Sequence, residues 1–291
     1  MTSLQQALAK GEFAVTAEVA PPKGTDTSEM MENAEFLRDK VHAVNVTDQQ
    51  SSVMRLGSLA SCRLLKEVGF EPVFQLTTRD RNRIALQSDL LSAAALGIEN
   101  VLCLTGDYIT LGDHPQAKPV FDLDSVSLLM AANRLKEGYD HVGNQLQGKP
   151  HFLLGAVVTP GYEPMDLQLL KMHRKVTAGA QFFQTQAVYD SELFRRFMEG
   201  AKDLGVPVLL GLVLLKSAGM ARYMNKNVAG VRIPDSIIDE MNNTEDKIAT
   251  CIKITARIIR ETRELCQGVH LMAMGWERYV PDILMEVDVQ I

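Results

Sequence analysis

Short apolar segments rich in β-branched residues alternate with longer segments of helical periodicity along almost the whole chain. The predicted strands are Phe13–Ala20, His42–Thr47, Pro72–Thr77, Asn100–Thr105, His151–Thr159, Gln181–Thr185, Pro207–Leu215 and Val269–Met274. The predicted helices include Ser28–Arg38, Gly57–Val68, Arg81–Leu96, Asp124–Lys136, Asp166–Ala178, Ser191–Leu204 and Glu245–Cys266. Continuous apolar strands are typical of a parallel sheet that is buried on both faces. This alternation predicts one (β/α)8 barrel domain over residues 1–291, with an open doubly wound sheet as the alternative.

The segment Glu245–Cys266 is the longest predicted helix. At 3.6 residues per turn, one of its faces carries Ile248, Ile252, Ile259 and Cys266. An apolar stripe of this kind faces the core in globular proteins, so we expect these residues to be buried.

Composition narrows the possible partners and compartments. The net charge is -6 and the basic residues are dispersed, which argues against binding to nucleic acid or an anionic membrane. The longest apolar run, Val206–Leu215, is about half of the roughly 20 residues that a membrane helix needs, and the N-terminal segment has no secretory pattern. The four cysteines lie far apart. We therefore expect free thiols in a reducing cytoplasm and no metal site.

Most predicted strands end in polar residues. These strand ends are Glu18, Thr47 with Asp48 and Gln49, Gln75 with Thr77, Thr105-Gly106-Asp107, Thr159, Gln184 with Gln186, and Lys216-Ser217. In a (β/α)8 barrel they all lie at one mouth, where the active sites of such enzymes are found. The alternative is that these residues are polar because they lie in solvated loops. This alternative accounts well for Asp48 and Lys216 but less well for Glu18.

Glu18 lies between Ala17 and Val19 within an apolar strand and is followed by Pro21-Pro22. Glutamate is almost never fully buried unless it is paired. Apolar surroundings disfavour the carboxylate anion, so a buried carboxyl group keeps its proton and is suited to general acid catalysis. The structural alternative is a salt bridge to an arginine across the mouth, and the sequence leaves both interpretations open.

Other strand ends carry groups suited to binding a heterocycle. In Leu104-Thr105-Gly106-Asp107, the glycine allows a ligand to approach the backbone closely, and Asp107 can bind a ring or stabilise a cation. Gln184 and Gln186 share one face of a strand, and amides both donate and accept hydrogen bonds. A turn aspartate and ligand-free amides at the barrel rim are the alternatives. The long segment Tyr108–Phe121 is typical of a binding loop.

Arg174-Lys175 lies near the end of a predicted helix, before Gly179. Cations at this position are favoured by the helix dipole, and the functional alternative is that one of them binds a cofactor phosphate. Neither a GxGxxG nor a GxxxxGK[ST] motif occurs, so the common dinucleotide-binding and P-loop motifs are not supported.

Taken in order, these segments resemble the methylenetetrahydrofolate reductase family over about Phe13–Met274. The matching segments are Glu18-Val19-Ala20-Pro21-Pro22 for E-x-x-P-P, Asn45-Val46-Thr47, Leu76-Thr77 with Arg79-Asp80 and Asn82-Arg83, Leu104–Asp107 for L-R/T-G-D, Arg174–Ala180 for K-x-K-V-D-A-G-A, Thr185-Gln186 for T-Q, Gly211–Ser217 for G-I-x-P-x-x-S, and Val231–Pro234 for V-x-I-P. No single motif is specific, but the ordered set is. The resemblance implies the short bacterial, single-domain form of a flavin-containing (β/α)8 barrel.

The resemblance implies an enzyme that reduces 5,10-methylenetetrahydrofolate to 5-methyltetrahydrofolate, or the reverse, by hydride transfer from a bound flavin. The implied cofactor is FAD, with FMN as the alternative, and the implied electron donor is NADH or a partner protein. Glu18 corresponds to the proton donor and Asp107 to an aspartate beside flavin and pterin. The implied flavin contacts are Thr47, Gln75, Thr105, Gly106, Asp107, Arg174 and Lys175. The implied substrate-binding residues are Asp107, Gln186 and Lys216, and we expect an oligomer.

Several positions depart from the family pattern. They are Gln75 for a histidine, Thr159 and Glu163 for a tyrosine and a histidine, Leu214 for a proline, Met220 for a substrate-binding glutamine, and His270–Trp276 for H-F-Y-T-L-N-R. The last difference leaves Arg278 as the candidate for the folate-binding arginine. The departures resemble a branch from anaerobic one-carbon pathways, whose barrel works with a small metal-containing partner subunit. A non-catalytic or electron-relaying flavin- or folate-binding subunit is therefore the alternative to an enzyme.

Overall fold

The computed structural model describes residues 1–291, in which eight parallel strands form one closed barrel in chain order. The strands are β1 (Ala14–Val19), β2 (Ala43–Val46), β3 (Pro72–Thr77), β4 (Asn100–Leu104), β5 (Leu153–Val158), β6 (Phe182–Ala187), β7 (Val208–Val213) and β8 (Gly268–Met272). The barrel closes where β1 pairs with β8, with Ala14 opposite Gly268 and Ala17 opposite Leu271. The predicted (β/α)8 barrel is confirmed, and the open sheet is excluded.

Helices surround this barrel and follow its strands. They are α1 (Ser3–Lys10), α2 (Ser28–Glu35), α3 (Ser58–Glu67), α4 (Arg83–Ala95), α5 (Ser125–Glu137), α6 (Met165–Thr177), α7 (Ser191–Ala201), α8 (Ala218–Asn227), α9 (Asp235–Asn243), α10 (Lys247–Thr262) and α11 (Val280–Glu286). None of them combines the length and the apolar character that a membrane crossing requires. The helices α1, α8, α9 and α11 are not among those predicted from the sequence. These helices have between 7 and 10 residues, too few for a clear apolar period.

The longest helix, α10, buries a different face from the predicted one. Ile248 and Ile252 are only half-buried, and the helix ends at Thr262, before Cys266. Its buried residues are Cys251, Ile254, Thr255, Ala256, Ile258, Ile259 and Thr262. The predicted stripe is therefore wrong at Ile248 and Ile252, whereas Ile259 and Cys266 are buried as expected. The buried face is wider than predicted because α10 also packs against α7, α9 and α11.

Helix α1 covers the end of the barrel at which the strands begin. Its Leu4 and Ala7 pack against the first residues of several strands and against Phe182 in a small apolar cluster. The hydroxyl of Thr2 caps the helix at the amide of Gln5 and also donates to Asn100 Oδ1 at 2.7 Å. Apolar packing therefore closes this end of the barrel, and the polar strand ends lie at the opposite mouth.

Candidate active site

A cavity of about 620 Å³ lies at the carboxyl ends of β3, β4 and β5 and reaches helix α6. Its size falls within the range of small-molecule sites in proteins. Six of the seven predicted flavin contacts are in its wall, namely Gln75, Thr105, Gly106, Asp107, Arg174 and Lys175. Thr47 is not in this wall, and its hydroxyl oxygen is buried without a hydrogen-bond partner. A buried polar atom of this kind calls for a partner from outside the chain, such as a ligand.

Gly106 brings the backbone after β4 against β3. Its φ of +93° lies in the left-handed region, which favours glycine. A Cβ atom at this position would lie 3.1 Å from Thr77 Cβ and 3.2 Å from Arg79 Cβ. A side chain at position 106 would therefore strain the backbone and press on β3, and the glycine leaves peptide groups accessible at the cavity wall.

Three cations from α6 line one side of the cavity. Lys171, Arg174 and Lys175 lie there, and none of them forms a salt bridge within the chain. Lys175 Nζ donates to the carbonyl of Val157 at 2.6 Å. Burial, together with repulsion from Lys171, lowers the pKa of Lys175 to about 8. Unpaired cations against a partly enclosed cavity create a site for an anion such as a phosphate.

Lys171 is not among the residues predicted from the sequence. Residues three and four apart lie on the same face of a helix, so Lys171 shares a face with both Arg174 and Lys175. That spacing is the signal that could have identified it.

Glu18, near the end of β1, is only 8% exposed, and polar groups surround its carboxyl group. Gln50 Nε2 donates to Glu18 Oε1 at 3.2 Å, and Gln75 Nε2 lies 3.5 Å from Oε2. His270 Nε2 lies 3.8 Å from the same Oε2 atom. The prediction of apolar surroundings is therefore wrong, and so is the alternative of a salt bridge to an arginine. Neighbouring segments instead bring two amides and an imidazole to the Glu18 carboxyl group. Gln50 and Gln75 are both in the cavity wall and connect Glu18 to it.

A buried hydrogen-bond network continues from His270 into the barrel. His270 Nδ1 lies 2.9 Å from Thr16 Oγ1, which accepts from Gln184 Nε2 at 3.1 Å. The Gln184 amide also pairs with the Asn45 amide through bonds of 2.8 and 3.1 Å. The network therefore links side chains of β1, β2, β6 and β8, and the other ring nitrogen of His270, Nε2, faces Glu18. Gln184 is thus a buried network residue and not the rim amide that the sequence suggested.

Asp107 lies at the same mouth, directly after β4. Its Oδ2 atom accepts the backbone N–H of Ser51 at 3.0 Å, and its carbonyl accepts from Ser52 Oγ at 3.1 Å. The long segment after Asp107 packs against the loop after β2, since a Cβ at Gly112 would lie 1.8 Å from the Ser52 carbonyl oxygen. The loops after β2 and β4 therefore form one unit beside the cavity.

The other substrate-binding candidates lie at the same mouth but outside the cavity wall. Gln186 Oε1 accepts its neighbour's backbone N–H, and Lys216 Nζ donates to the Met274 carbonyl at 2.5 Å. Lys216 Nζ also lies 5.5 Å from the centre of the Trp276 ring. The guanidinium of Arg278, the candidate folate-binding arginine, lies over the ring of Phe36, directly after α2.

Asp48 is not a solvated loop residue, as the sequence suggested, but is fully buried. Arg81 binds both of its carboxylate oxygens, at 2.7 and 3.1 Å, and Thr77 donates to Oδ2 through its backbone and its hydroxyl. Asp48 thus joins the ends of β2 and β3, and Asp48 and Thr77 both line the cavity. Asp48 therefore has a structural role that a strand-end pattern alone does not show.

Comparisons with known proteins show which family the chain belongs to. A family model described as methylenetetrahydrofolate reductase matches residues 3–288. A protein of Oryza sativa subsp. japonica named as a probable methylenetetrahydrofolate reductase (NADH) is 26% identical and covers 98% of this chain and 50% of its own length. Methylenetetrahydrofolate reductase (NADH) 1 of Arabidopsis thaliana is 26% identical over 70% of this chain and 36% of its own length. The chain thus spans half or less of these curated relatives.

Solved structures with the same fold show much lower identity. A Clostridium thermocellum protein that binds two copies of 5-methyl-5,6,7,8-tetrahydrofolic acid has a TM-score of 0.67 and 17% identity, over 98% of both chains. A 2,3-dimethylmalate lyase has a TM-score of 0.56 and 10% identity, over 98% of this chain and 84% of its own. At these identities the likeness shows the barrel fold alone. The family model, in contrast, matches nearly the whole chain, and the protein belongs to the methylenetetrahydrofolate reductase family.

Proposed function

We propose that the protein reduces 5,10-methylenetetrahydrofolate to 5-methyltetrahydrofolate with a bound flavin, or catalyses the reverse reaction. The observation that carries this proposal is the convergence of two carboxyl groups on one mouth, where consecutive loop residues contact Glu18 and Asp107. Membership of the family supports it. The methyltetrahydrofolate bound by the Clostridium thermocellum neighbour also supports a folate substrate.

The residues around the cavity fit a flavin nucleotide. Lys171, Arg174 and Lys175 suit its phosphate groups, and the backbone at Gly106 permits close approach of a planar ring. The amide of Gln75 can pair with the polar edge of that ring. We propose FAD as the cofactor, with FMN as the alternative. When bound and reduced, the flavin supplies the hydride, and the protein supplies orientation and charge.

Glu18 and Asp107 have complementary roles in this proposal. Protonated Glu18 donates its proton to N10 of the folate while the bond between N10 and the methylene carbon breaks. Ring opening leaves an iminium cation at N5, and its carbon accepts the hydride to become the methyl group. The Asp107 carboxylate stabilises the positive charge before that transfer. Gln186 and Lys216 lie at the same mouth, where they can contact the rest of the folate.

The test begins with the visible absorption spectrum of the purified protein and chromatography of the cofactor it releases. The flavin is then reduced chemically under anaerobic conditions and mixed with 5,10-methylenetetrahydrofolate. We expect the oxidised flavin spectrum to return and 5-methyltetrahydrofolate to form in equal amount. A protein that binds folate without flavin, or a reduced flavin that folate does not reoxidise, would contradict the proposal. Reduction by the chemical reductant but not by NADH would indicate that a partner protein is the donor.

A further inference from the structure

Gln50 is the one contact of Glu18 that comes from a loop, since Gln75 lies on β3 and His270 on β8. We propose that Gln50 is a positioning residue that holds the Glu18 carboxyl group at the edge of the cavity. This inference rests on the proposed role of Glu18 as the acid. An amide offers both an N–H donor and a carbonyl acceptor. It can therefore donate to a carboxylate and, once the amide group has rotated, accept from a protonated carboxyl group. Gln50 can therefore hold Glu18 before and after it gives up its proton.

The backbone on both sides of Gln50 is held in an unusual conformation. Gln49, Ser51 and Ser52 have φ angles of 51°, 55° and 59°, in the left-handed region that side chains other than glycine disfavour. Such residues persist only where the surrounding structure determines their conformation, and they concentrate at functional sites. The direction of the Gln50 side chain is thus determined by the fold around the loop.

A buried arginine supplies much of that surrounding structure. The guanidinium of Arg79, only 2% exposed, donates to Ser52 Oγ at 3.0 Å and to the Gln49 carbonyl at 3.3 Å. It also lies 3.4 Å from the Asp107 carbonyl. Together with the bond from Ser51 N–H to the Asp107 carboxylate, these contacts fasten the loop on both sides of Gln50.

The groups that face Glu18 explain why the Gln50 amide is important for the orientation of the carboxyl group. His270 is the titratable side chain that faces Glu18, whereas β3 and the loop after β2 present the neutral amides of Gln75 and Gln50. Gln50 makes the shortest of the three contacts and is the partner of Oε1. Without it, Oε1 would lose its partner within the chain, and only the longer contacts of Oε2 with Gln75 and His270 would hold the carboxyl group.

The experiment compares Gln50→Ala and Gln50→Glu with Met54→Ala, whose exposed side chain belongs to the same loop but has no contact with Glu18. We measure the rate at which methylenetetrahydrofolate oxidises the reduced flavin, at saturating folate and over a range of pH. Folate affinity is measured separately from the fluorescence of Trp276, the single tryptophan of the chain, which lies at this mouth. Melting temperatures and circular dichroism identify any variant that fails to fold.

We expect Gln50→Ala to slow the reaction by about tenfold, the effect of one hydrogen bond to a charged group, with folate affinity changed by less than about twofold. In Gln50→Glu, which keeps the shape, two neighbouring carboxyl groups share a proton. The pair stays protonated to higher pH, and the alkaline limb of the rate profile moves up by about one pH unit. Met54→Ala should match the wild type. A merely structural role for Gln50 would lower the melting temperature of Gln50→Ala and leave its rate at saturating folate unchanged.

Glu18→Gln in the same series separates the two proposals. A slow Glu18→Gln variant together with a normal rate in Gln50→Ala overturns the role of Gln50 alone. A normal rate in Glu18→Gln overturns the assignment of Glu18 as the acid, and the role of Gln50 with it.

Discussion

Glu18 and Asp107 are joined by two consecutive residues of one loop. The side chain of Gln50 donates to Glu18 Oε1 at 3.2 Å, and the backbone N–H of Ser51 donates to Asp107 Oδ2 at 3.0 Å. Glu18 lies on β1 and Asp107 follows β4, so neither the sequence nor the strand order alone brings them together. The loop after β2 spans the distance between them. A change in the backbone at Gln50-Ser51 should therefore affect both carboxyl groups at once.

Removing the acid should slow the folate step without releasing the flavin. Glu18→Gln keeps the size of the side chain and its contact with Gln50, but it cannot donate a carboxyl proton. We expect the rate of flavin oxidation by methylenetetrahydrofolate to fall by at least about 100-fold, the scale of general acid catalysis. Stopped-flow absorbance measures this rate. Glu12→Gln is the control and should react at the normal rate, because Glu12 precedes β1 at the opposite end of the barrel.

Neutralising Asp107 should slow the folate step while leaving the contact between the two loops in place. Asp107→Asn keeps an oxygen that can accept from Ser51 N–H, but it loses the charge that would stabilise the iminium cation. We expect a fall of about 10- to 100-fold in the folate step, with flavin affinity nearly unchanged. Asp107→Ala should lower the melting temperature as well, because Ser51 N–H loses its partner. Equal rates in Asp107→Asn and the wild type would show that Asp107 is only a turn residue.

Flavin affinity should fall as the pH rises through about 8. Burial lowers the pKa of Lys175 to about 8 from the ordinary 10.5, so its ammonium group loses its proton in this range and no longer attracts a phosphate. The same shift means that the charged lysine opposes folding below pH 8, and this opposition is relieved between about 8 and 10.5. Fluorescence titration with FAD at several pH values measures the effect. Lys175→Met should bind weakly at every pH, and a pH dependence that persists in it would contradict the assignment.

Arg79 should contribute strongly to stability, because its buried guanidinium joins three segments of the mouth. Arg79→Met leaves Asp80, the Gln49 carbonyl and Ser52 without this donor. Asp80 is partly exposed and regains water, so we expect a loss of about 2–3 kcal/mol in the free energy of unfolding, below the usual range for a broken buried pair. Urea denaturation measures it. Arg83→Met, which breaks an exposed ion pair with Asp122, is the matched control and should cost much less.

The four cysteines should be unreactive in the folded protein. All of them are free and buried, and burial raises the pKa of Cys103 to about 12 and those of Cys251 and Cys266 to about 11. Since the thiolate is the reactive form, a disulfide reagent at pH 8 should modify none of them until the chain is unfolded. Four thiols should then react. Fast reaction of the native protein would show that the packing around one of them opens.

The sequence by itself determined the architecture and the position of the polar mouth. Both depend on local patterns. Apolar runs such as Pro72–Thr77 form the buried strands, and in a (β/α)8 barrel the polar residues that follow the strands all lie at the same mouth. The acid candidate Glu18, the motif around Gly106 and the cations at Arg174-Lys175 could be found in this way. Their chemistry is visible in the residue types, and their placement follows from the alternation of strands and helices.

Only the tertiary structure decided which side chains meet. Gln184 and Gln186 differ by two positions on one strand, yet barrel closure buries Gln184 among Thr16 and Asn45 and leaves Gln186 near the rim. Gln50 carries no sequence signal, because its contact with Glu18 depends on a left-handed loop that residues after β3 and β4 hold in place. Contacts between distant side chains depend on the register between strands and on the conformation of the loops, and the alternation of strands and helices specifies neither.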